Sequence, residues 1–126
     1  MSPDPLVSVI IPTRDRPALA VRAVRSALGQ TYANHEIVVV DDGSTLPLRL
    51  PRDLEDARVR TVRLGTTVGA GGARNAGVQA STGTLLAFLD DDDRWRPRKL
   101  ERQVQTLAGC DEDVAAVETG AGTVAR

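Results

Sequence analysis

Short apolar runs recur along the chain and predict β-strands. Three of them, VSVII (7–11), EIVVV (36–40) and TLLAFL (84–89), are almost entirely apolar. Such runs are typical of strands that are buried on both faces of a parallel sheet. Residues 58–64 alternate between apolar and charged positions and predict a less buried strand. DVAAV (113–117) predicts a fifth strand.

Between the strands, apolar positions follow the period of a helix. From residue 19 to residue 28 they fall on one helical face, and Gly29 ends the segment. The glycine-rich residues 71–81 predict a helix with a face of small side chains, and residues 98–107 predict a third helix. Two prolines make residues 43–57 irregular, apart from one helical turn at 53–57.

The resulting order, β-α-β-β-α-β-α-β, predicts an α/β fold of Rossmann-like type. Buried strands that alternate with helices imply a mainly parallel sheet with helices on both faces and right-handed crossovers. A length of 126 residues suits one domain, residues 1–126, and no internal repeat or linker divides it.

Composition and charge argue against several classes of binding partner and cellular location. The net charge of −1 gives no general attraction to nucleic acid or to an anionic membrane. No apolar run approaches the roughly 18 residues that span a bilayer, and MSPDPL at the start lacks the pattern of a signal peptide. We therefore predict a cytoplasmic protein with no membrane segment in this chain and no nucleic-acid partner.

Cysteine and histidine are almost absent. Cys110 and His35 each occur once, so no intramolecular disulfide or thiolate cluster can form and a histidine zinc site is not expected. We expect His35 to be a solvent-exposed loop residue.

Polar side chains follow the predicted strands at their carboxyl ends. The first strand leads into PTRDR, the second into DDGS and the fourth into DDDD. In parallel α/β sheets, ligands bind outside the carboxyl ends of the strands. The three segments should therefore meet at one edge of the sheet, where they predict a binding site.

The four aspartates, Asp90 to Asp93, suggest a cation site. In an extended segment Asp90 and Asp92 would point one way and Asp91 and Asp93 another. Two carboxylates on one face raise each other's pKa unless a cation lies between them. Oxygen ligands without His or Cys favour Mg²⁺ or Mn²⁺, held together with substrate phosphates. A solvated acidic turn is the alternative.

The DDGS turn, which begins with Asp41 and Asp42, places carboxylates where they could accept hydrogen bonds from a base or a ribose. A plain turn is the alternative interpretation. The D-x-D-x-T pattern of haloacid-dehalogenase phosphatases is absent, because Gly43 stands at the second aspartate position. A phosphoryl-transfer enzyme is therefore not favoured.

Two further segments carry weaker signals. The stretch GTTVGAGGARNAG (65–77) matches neither a dinucleotide fingerprint nor a P-loop. Its small residues favour either close helix packing or close approach to a ligand, with Arg74 near a phosphate. RWRPRK (94–99) favours a solvated helix start, with Trp95 beneath the aspartates or lining a sugar pocket.

Taken together, these segments resemble the N-terminal half of a family 2 glycosyltransferase with the GT-A fold. The resemblance covers roughly residues 6–105, through VSVIIPTRDRPALAVRAVRSALGQTY, EIVVVDDGST and VGAGGARNAGVQASTGTLLAFLDDDDRWRPRKLE, in the family's order and spacing. It implies a hexosyltransferase-type enzyme that binds a nucleotide-diphospho-sugar, with a UDP-sugar expected, and transfers the sugar with inversion. The acceptor would be a saccharide, a lipid or another hydroxyl compound.

The resemblance also implies residue roles on the nucleoside side of the donor. Thr13 and Arg14 would lie against the base and ribose. Asp42 would hydrogen-bond the base, with Asp41 beside it, and Asp91 would contact the ribose. Arg14 stands where the family commonly has an aromatic residue, so we expect it to contact the base or a phosphate in another way.

On the diphosphate side, the resemblance makes Asp90 and Asp92 the D-x-D pattern. Asp92 would be the main ligand of Mn²⁺ or Mg²⁺, Asp90 the second, and Arg74 would contact phosphate. In the family the acceptor half and the catalytic base lie beyond this region, so the chain is expected to be a truncated, nucleotide-binding half with an unknown base. The alternative is a non-catalytic nucleotide-sugar-binding module.

Overall fold

The computed structural model describes residues 4–109, 116–119 and 122–125. They form a six-stranded sheet in the order β3-β2-β1-β4-β6-β5. The strands are β1 (Val7–Thr13), β2 (His35–Asp41), β3 (Val59–Arg63), β4 (Leu85–Phe88), β5 (Ala116–Thr119) and β6 (Gly122–Ala125). The first four strands pair in parallel, as β3–β2, β2–β1 and β1–β4, whereas β6 pairs antiparallel with both β4 and β5.

Three helices connect the parallel strands or follow them. They are α1 (Pro17–Leu28), α2 (Gly69–Ala80) and α3 (Lys99–Ala108), and a single 3₁₀ turn covers Arg52–Leu54. The helical turn predicted at 53–57 is thus present, but it begins one residue earlier and is shorter. None of the helices in the described part of the chain is long and apolar enough to cross a bilayer.

Helices lie on both faces of the sheet, as predicted. On one face, α1 and α3 cover Val9, Ile11 and Val39 to form the larger apolar core. On the other face, α2 covers Ile10 and Val38. The alternation of β1 between the two faces explains why its sequence is apolar at successive positions, since both sides of this central strand are buried.

α2 packs unusually close to the sheet through Gly77. A Cβ atom at this position would lie 2.5 Å from Cγ2 of Ile10 and 3.1 Å from Cγ2 of Val40. Only a glycine permits this separation. Close helix packing is therefore one of the roles of the glycine-rich segment.

The prediction for His35 is wrong. This residue begins β2, pairs with Val7 and is 2% exposed. Its Nδ1 lies 2.7 Å from the carbonyl oxygen of Tyr32, and burial lowers its pKa. The strand extends one residue before the apolar run, because the pairing with β1 continues to Val7.

The carboxyl-terminal part differs from the prediction of one fifth strand over residues 113–117. The structure has β5 at Ala116–Thr119 and an unpredicted β6 at Gly122–Ala125. Residues 113–115 lie outside the described residues. Because β6 rather than β5 pairs with β4, the sheet ends in an antiparallel hairpin.

Candidate functional site

A cleft lies at the carboxyl edge of the parallel strands, where the sequence predicted it. Its volume is about 570 Å³. The segments after β1, β2 and β4 and the start of α2 line it. Seven of the eight predicted site residues are among the lining residues: Thr13, Arg14, Asp42, Arg74, Asp90, Asp91 and Asp92.

The aspartate run does not alternate as predicted. β4 ends at Phe88, and the backbone then turns, with the N–H of Asp93 donating to the carbonyl oxygen of Asp90 over 3.0 Å. Because the segment is a turn rather than an extended strand, Asp90, Asp91 and Asp92 all line the same cleft. The Asp93 carboxylate instead accepts the N–H of Arg94 at 2.9 Å.

Asp91 is the most fixed of these carboxylates. It is 8% exposed. Its Oδ2 accepts a hydrogen bond from the Thr13 hydroxyl at 2.9 Å, and its Oδ1 accepts one from Nη1 of Arg16 at 3.3 Å. These contacts tie the ends of β1 and β4 together. Sequence reasoning missed Arg16, although it lies in the quoted PTRDR segment, because nothing local distinguishes it from Arg14.

Asp90 and Asp92 are more open. Asp90 accepts Nη2 of Arg74 at 3.0 Å, in a pair whose side chains are 59% and 40% exposed. Such exposed pairs contribute at most about 1 kcal/mol, so either partner can exchange it for a ligand. Within the described residues, the Asp92 carboxylate has no hydrogen bond, and only its backbone oxygen is engaged, by Arg22 at 3.2 Å.

Asp42 joins the DDGS turn to the start of α2. Its two carboxylate oxygens accept the N–H groups of Val68 and Gly69 at 2.8 and 3.0 Å. A negative charge at a helix N-terminus is favourable. Gly69 has a φ of 86° and Gly43 a φ of 69°, both in the left-handed region that favours glycine. Asp42 thus holds the helix that carries Arg74 while it lines the cleft.

Asp41, the eighth predicted residue, does not line the cleft. It is 1% exposed and accepts hydrogen bonds from the N–H groups of Ser44 and Leu48 and from Arg63 at 2.9 to 3.0 Å. Burial alone would raise the pKa of Asp41, but these donors together hold it below its usual value. Its visible role is to fix the loop behind the cleft.

The PTRDR segment is held against the DDGS turn. Asp15 has a φ of 54°. Its N–H donates to the Ser44 hydroxyl at 2.9 Å, and its carboxylate accepts the N–H of Thr45 at 2.7 Å. Arg14 lies 3.8 Å from the Asp15 carboxylate and stays 57% exposed. Its guanidinium can therefore reach a ligand in the cleft.

The donor set suits a divalent ion that is shared with a substrate. The described residues contain no group of three His, Cys, Asp or Glu side chains in a complete metal-binding arrangement. Mg²⁺ and ions like it commonly bind through one or two carboxylates together with phosphate oxygens. Asp92 and Asp90 fit this mode, since both line the cleft and neither is buried in a fixed network.

Comparisons with known proteins identify the family of this chain. The sequence profile of Glycosyl transferase family 2 matches residues 8–124. The putative colanic acid biosynthesis glycosyl transferase WcaA of Escherichia coli K12 is 37% identical over 79% of this chain and 37% of its own length. The E. coli glucosyltransferase WfgD is 37% identical over 82% of this chain and 42% of its own length. The chain therefore spans about two fifths of these relatives.

Solved structures share the fold. A mannosyltransferase from Pyrobaculum calidifontis, in complex with GDP-Man and Mn²⁺, matches with a TM-score of 0.80 at 22% identity, over 96% of this chain and 44% of its own. S. aureus TarS in complex with UDP-GlcNAc matches with a TM-score of 0.68 at 25% identity, over 81% of this chain and 31% of its own. These neighbours bear out the predicted GT-A architecture. The profile match over residues 8–124 shows that the chain belongs to glycosyl transferase family 2.

Proposed function

We propose that this chain forms the donor site of an inverting, hexosyltransferase-type glycosyltransferase. The donor is a nucleotide-diphospho-sugar, and a UDP-sugar is the first candidate. One observation carries the proposal: residues from the ends of three parallel strands and from the start of α2 line a single cleft, with carboxylates at Asp42, Asp91 and Asp92 and guanidinium groups at Arg14 and Arg74. A nucleotide-diphospho-sugar needs both kinds of group.

The nucleoside would occupy the side of the cleft formed by β1 and β2. Asp42 is an acceptor for N–H groups, as its contacts with α2 illustrate, and would accept an N–H of the base. Asp91, already oriented by Thr13, would accept a ribose hydroxyl. Arg14 would contact the base or a phosphate. Asp41 would act indirectly, by holding the loop that follows Asp42.

The diphosphate would lie toward Arg74 and the aspartate turn. Asp92, with Asp90, would hold Mn²⁺ or Mg²⁺, and the bound ion would neutralise charge on the diphosphate leaving group. Arg74 would leave Asp90 and donate to a phosphate oxygen, since the exposed ion pair between them is weak.

Inverting transfer forms a bond between the acceptor oxygen and the anomeric carbon while the bond to the diphosphate breaks. The acceptor proton must pass to a general base on the opposite face of the sugar. We assign no residue of this chain as that base. The acceptor is proposed to be a saccharide, a lipid or another hydroxyl compound.

The named ligands of related proteins support this proposal. The Pyrobaculum structure contains GDP-Man and Mn²⁺, and the TarS structure contains UDP-GlcNAc. The name of WfgD gives UDP-Glc and a GlcNAc-diphosphoundecaprenol. A cytoplasmic location is a separate proposal, which cell fractionation would test.

Isothermal titration tests the donor site directly. UDP-, GDP- and dTDP-sugars would be titrated into the folded chain, with Mn²⁺ and with a chelator. We expect saturable binding that requires Mn²⁺ and is strongest for a UDP-sugar. The absence of binding by every donor under both conditions would contradict the proposal.

A non-catalytic nucleotide-sugar-binding module is the second candidate, because we assign no residue of this chain as the catalytic base. Release of the nucleoside diphosphate when the chain is incubated with donor, Mn²⁺ and simple acceptors would favour the enzyme. Binding without release fits both candidates, so the same assay on the protein encoded by the full reading frame separates them: transfer of the sugar supports the enzyme, and binding without transfer supports the module.

A further inference from the structure

A second cavity, which we call the α3 groove, lies at the start of α3. Its volume is about 640 Å³. It shares no lining residue with the aspartate cleft. Five of its lining residues are cationic: Arg94, Arg96, Arg98, Lys99 and Arg102.

The positive charge of the α3 groove is poorly compensated. Arg98 pairs with Glu101 at 3.2 Å. Within the described part of the chain, Arg94, Arg96 and Arg102 form no ion pair. This concentration of cations stands out in a chain whose net charge is −1. The groove therefore offers a local site for an anion.

Lys99 makes this more than a charged surface. It lines the groove yet is 8% exposed, and its Nζ has no hydrogen-bond partner among the described residues. The ammonium lies 4.0 Å from the centre of the Trp95 ring. Burial lowers its pKa to about 8, and Asp93 opposes this effect only weakly. An unpaired buried ammonium is costly for folding, so an anion that reached Lys99 would stabilise the folded chain.

Trp95 also explains why Lys99 stays where it is. Trp95 is 5% exposed and packs in the core beneath α1 and α3, rather than in the aspartate cleft. Its ring attracts the ammonium through a cation–π contact and keeps the Lys99 side chain from turning outward. The contact restricts the Lys99 side chain, which lowers the entropic cost of an interaction with an anion in the groove.

We propose that the α3 groove binds a phosphate or diphosphate group of a ligand other than the sugar donor. Lys99 is a compact charge with three donors and suits one phosphate oxygen. The exposed guanidinium groups of Arg94, Arg96 and Arg102 suit the remaining oxygens, because the arginine fork pairs well with phosphate. The groove is much larger than one phosphate, so it can hold part of the molecule that carries the group.

Titration of inorganic pyrophosphate into the whole chain tests this site. A chelator is present throughout, so that metal-dependent binding in the aspartate cleft does not contribute. We expect saturable binding that Lys99→Met weakens at least about tenfold, as the loss of a charge-assisted hydrogen bond predicts. Titration of a UDP-sugar with Mn²⁺ into wild-type protein, run separately, distinguishes failure here from failure of the proposed donor site.

Two further variants guard against a folding artefact. Arg94→Gln combined with Arg96→Gln changes only exposed side chains and should also weaken pyrophosphate binding. Arg52→Gln removes an exposed arginine from the 3₁₀ turn, outside the groove, and should have no effect. The proposal is overturned if wild-type protein shows no saturable binding, or if the groove variants bind as tightly as Arg52→Gln.

Vesicles distinguish a free ligand from a lipid-borne one. Two kinds of phosphatidylcholine vesicle would be compared at matched total charge. One contains phosphatidic acid, which is a phosphomonoester, and the other contains phosphatidylglycerol. If the protein binds the phosphatidic acid vesicles and pyrophosphate displaces it from them, the ligand is a lipid-borne phosphate. If the protein binds pyrophosphate but neither kind of vesicle, the ligand is a soluble phosphate. Equal binding to both vesicles that pyrophosphate does not displace would indicate a general membrane surface and overturn the proposal.

Discussion

Replacement of Gly77 by alanine tests how α2 is seated and, through Arg74, how the site is held. The added Cβ would lie 2.5 Å from Cγ2 of Ile10, and 3.1 Å from Cγ2 of Val40. Both contacts are with β-branched side chains in the middle of the sheet. Either α2 must move outward or the two side chains must leave their preferred rotamers.

Gly71→Ala is the matched control for this change. Gly71 lies in the same helix, and a Cβ there would have no atom within 4 Å. Each alanine gains about 1 kcal/mol in helix propensity. Overpacking of a core typically costs about 1–3 kcal/mol. The difference in unfolding free energy between the two variants should therefore be about 1–3 kcal/mol.

Chemical denaturation of both variants gives this difference, and thermal melting should place Gly77→Ala below Gly71→Ala by roughly 4 °C per kcal/mol. Gly77→Ala should also weaken donor binding, because Arg74 lies on the preceding turn of α2. Equal stability of the two variants, or a more stable Gly77→Ala, would refute the inferred close packing.

Three other substitutions probe the fold and the cleft. Burial alone would raise the pKa of Glu36, but hydrogen-bond donors that include Ser8 hold this pKa at about 2. The resulting stabilisation, of order 3 kcal/mol, should be present above pH 4.5 and disappear as the pH falls toward 2. Denaturation at several pH values should show a smaller loss of stability for Glu36→Gln. Asp42→Asn should destabilise the chain by about 1–2 kcal/mol in urea unfolding, because the amide NH₂ group takes the place of one carboxylate oxygen and cannot accept the N–H that this oxygen binds at the start of α2. Asp91→Ala should weaken binding of the nucleoside as well as of the whole donor in titrations, since Asp91 and Thr13 are proposed to contact the ribose.

Each of these expectations has a contrary outcome. A parallel loss of stability for wild-type protein and Glu36→Gln between pH 4.5 and 2 would mean that Glu36 is not the titrating group. Unchanged unfolding of Asp42→Asn would mean that its contacts with α2 contribute nothing. Asp91→Ala that binds the free nucleoside as wild type does would remove Asp91 from the proposed ribose contact.

The sequence predicts the order of the strands and helices well, because apolar residues recur at different spacings in buried strands and in amphipathic helices. The same reasoning cannot locate the ends of strands from side chains that are not apolar. The pattern places His35 in a loop although β2 begins with it, since its burial depends on pairing with Val7, 28 positions earlier. The pattern does not predict β6 for a similar reason, because GTVA (122–125) is too short and mixed to indicate a strand.

The aspartates show the same limit within the site. Because the four residues are identical, the sequence does not show where the extended strand ends. The expected alternation of their side chains is therefore absent in the turn that follows β4. Asp41 and Asp42 are likewise equivalent in sequence. Only the contacts of Asp41 with Arg63 and with the loop up to Leu48 reveal that it lies behind the cleft. Convergence at the edge of the sheet was predictable because it depends on topology alone.

The most direct test of the proposed donor site compares Asp92→Asn with Asp93→Asn. Both remove one charge from the same turn, but only Asp92 lines the cleft. In titrations of a UDP-sugar with Mn²⁺, Asp92→Asn should abolish the Mn²⁺-dependent part of binding, while Asp93→Asn should bind nearly as wild type does. Equal effects of the two substitutions, or donor binding by Asp92→Asn that still depends fully on Mn²⁺, would contradict the assignment of Asp92 as the main metal ligand.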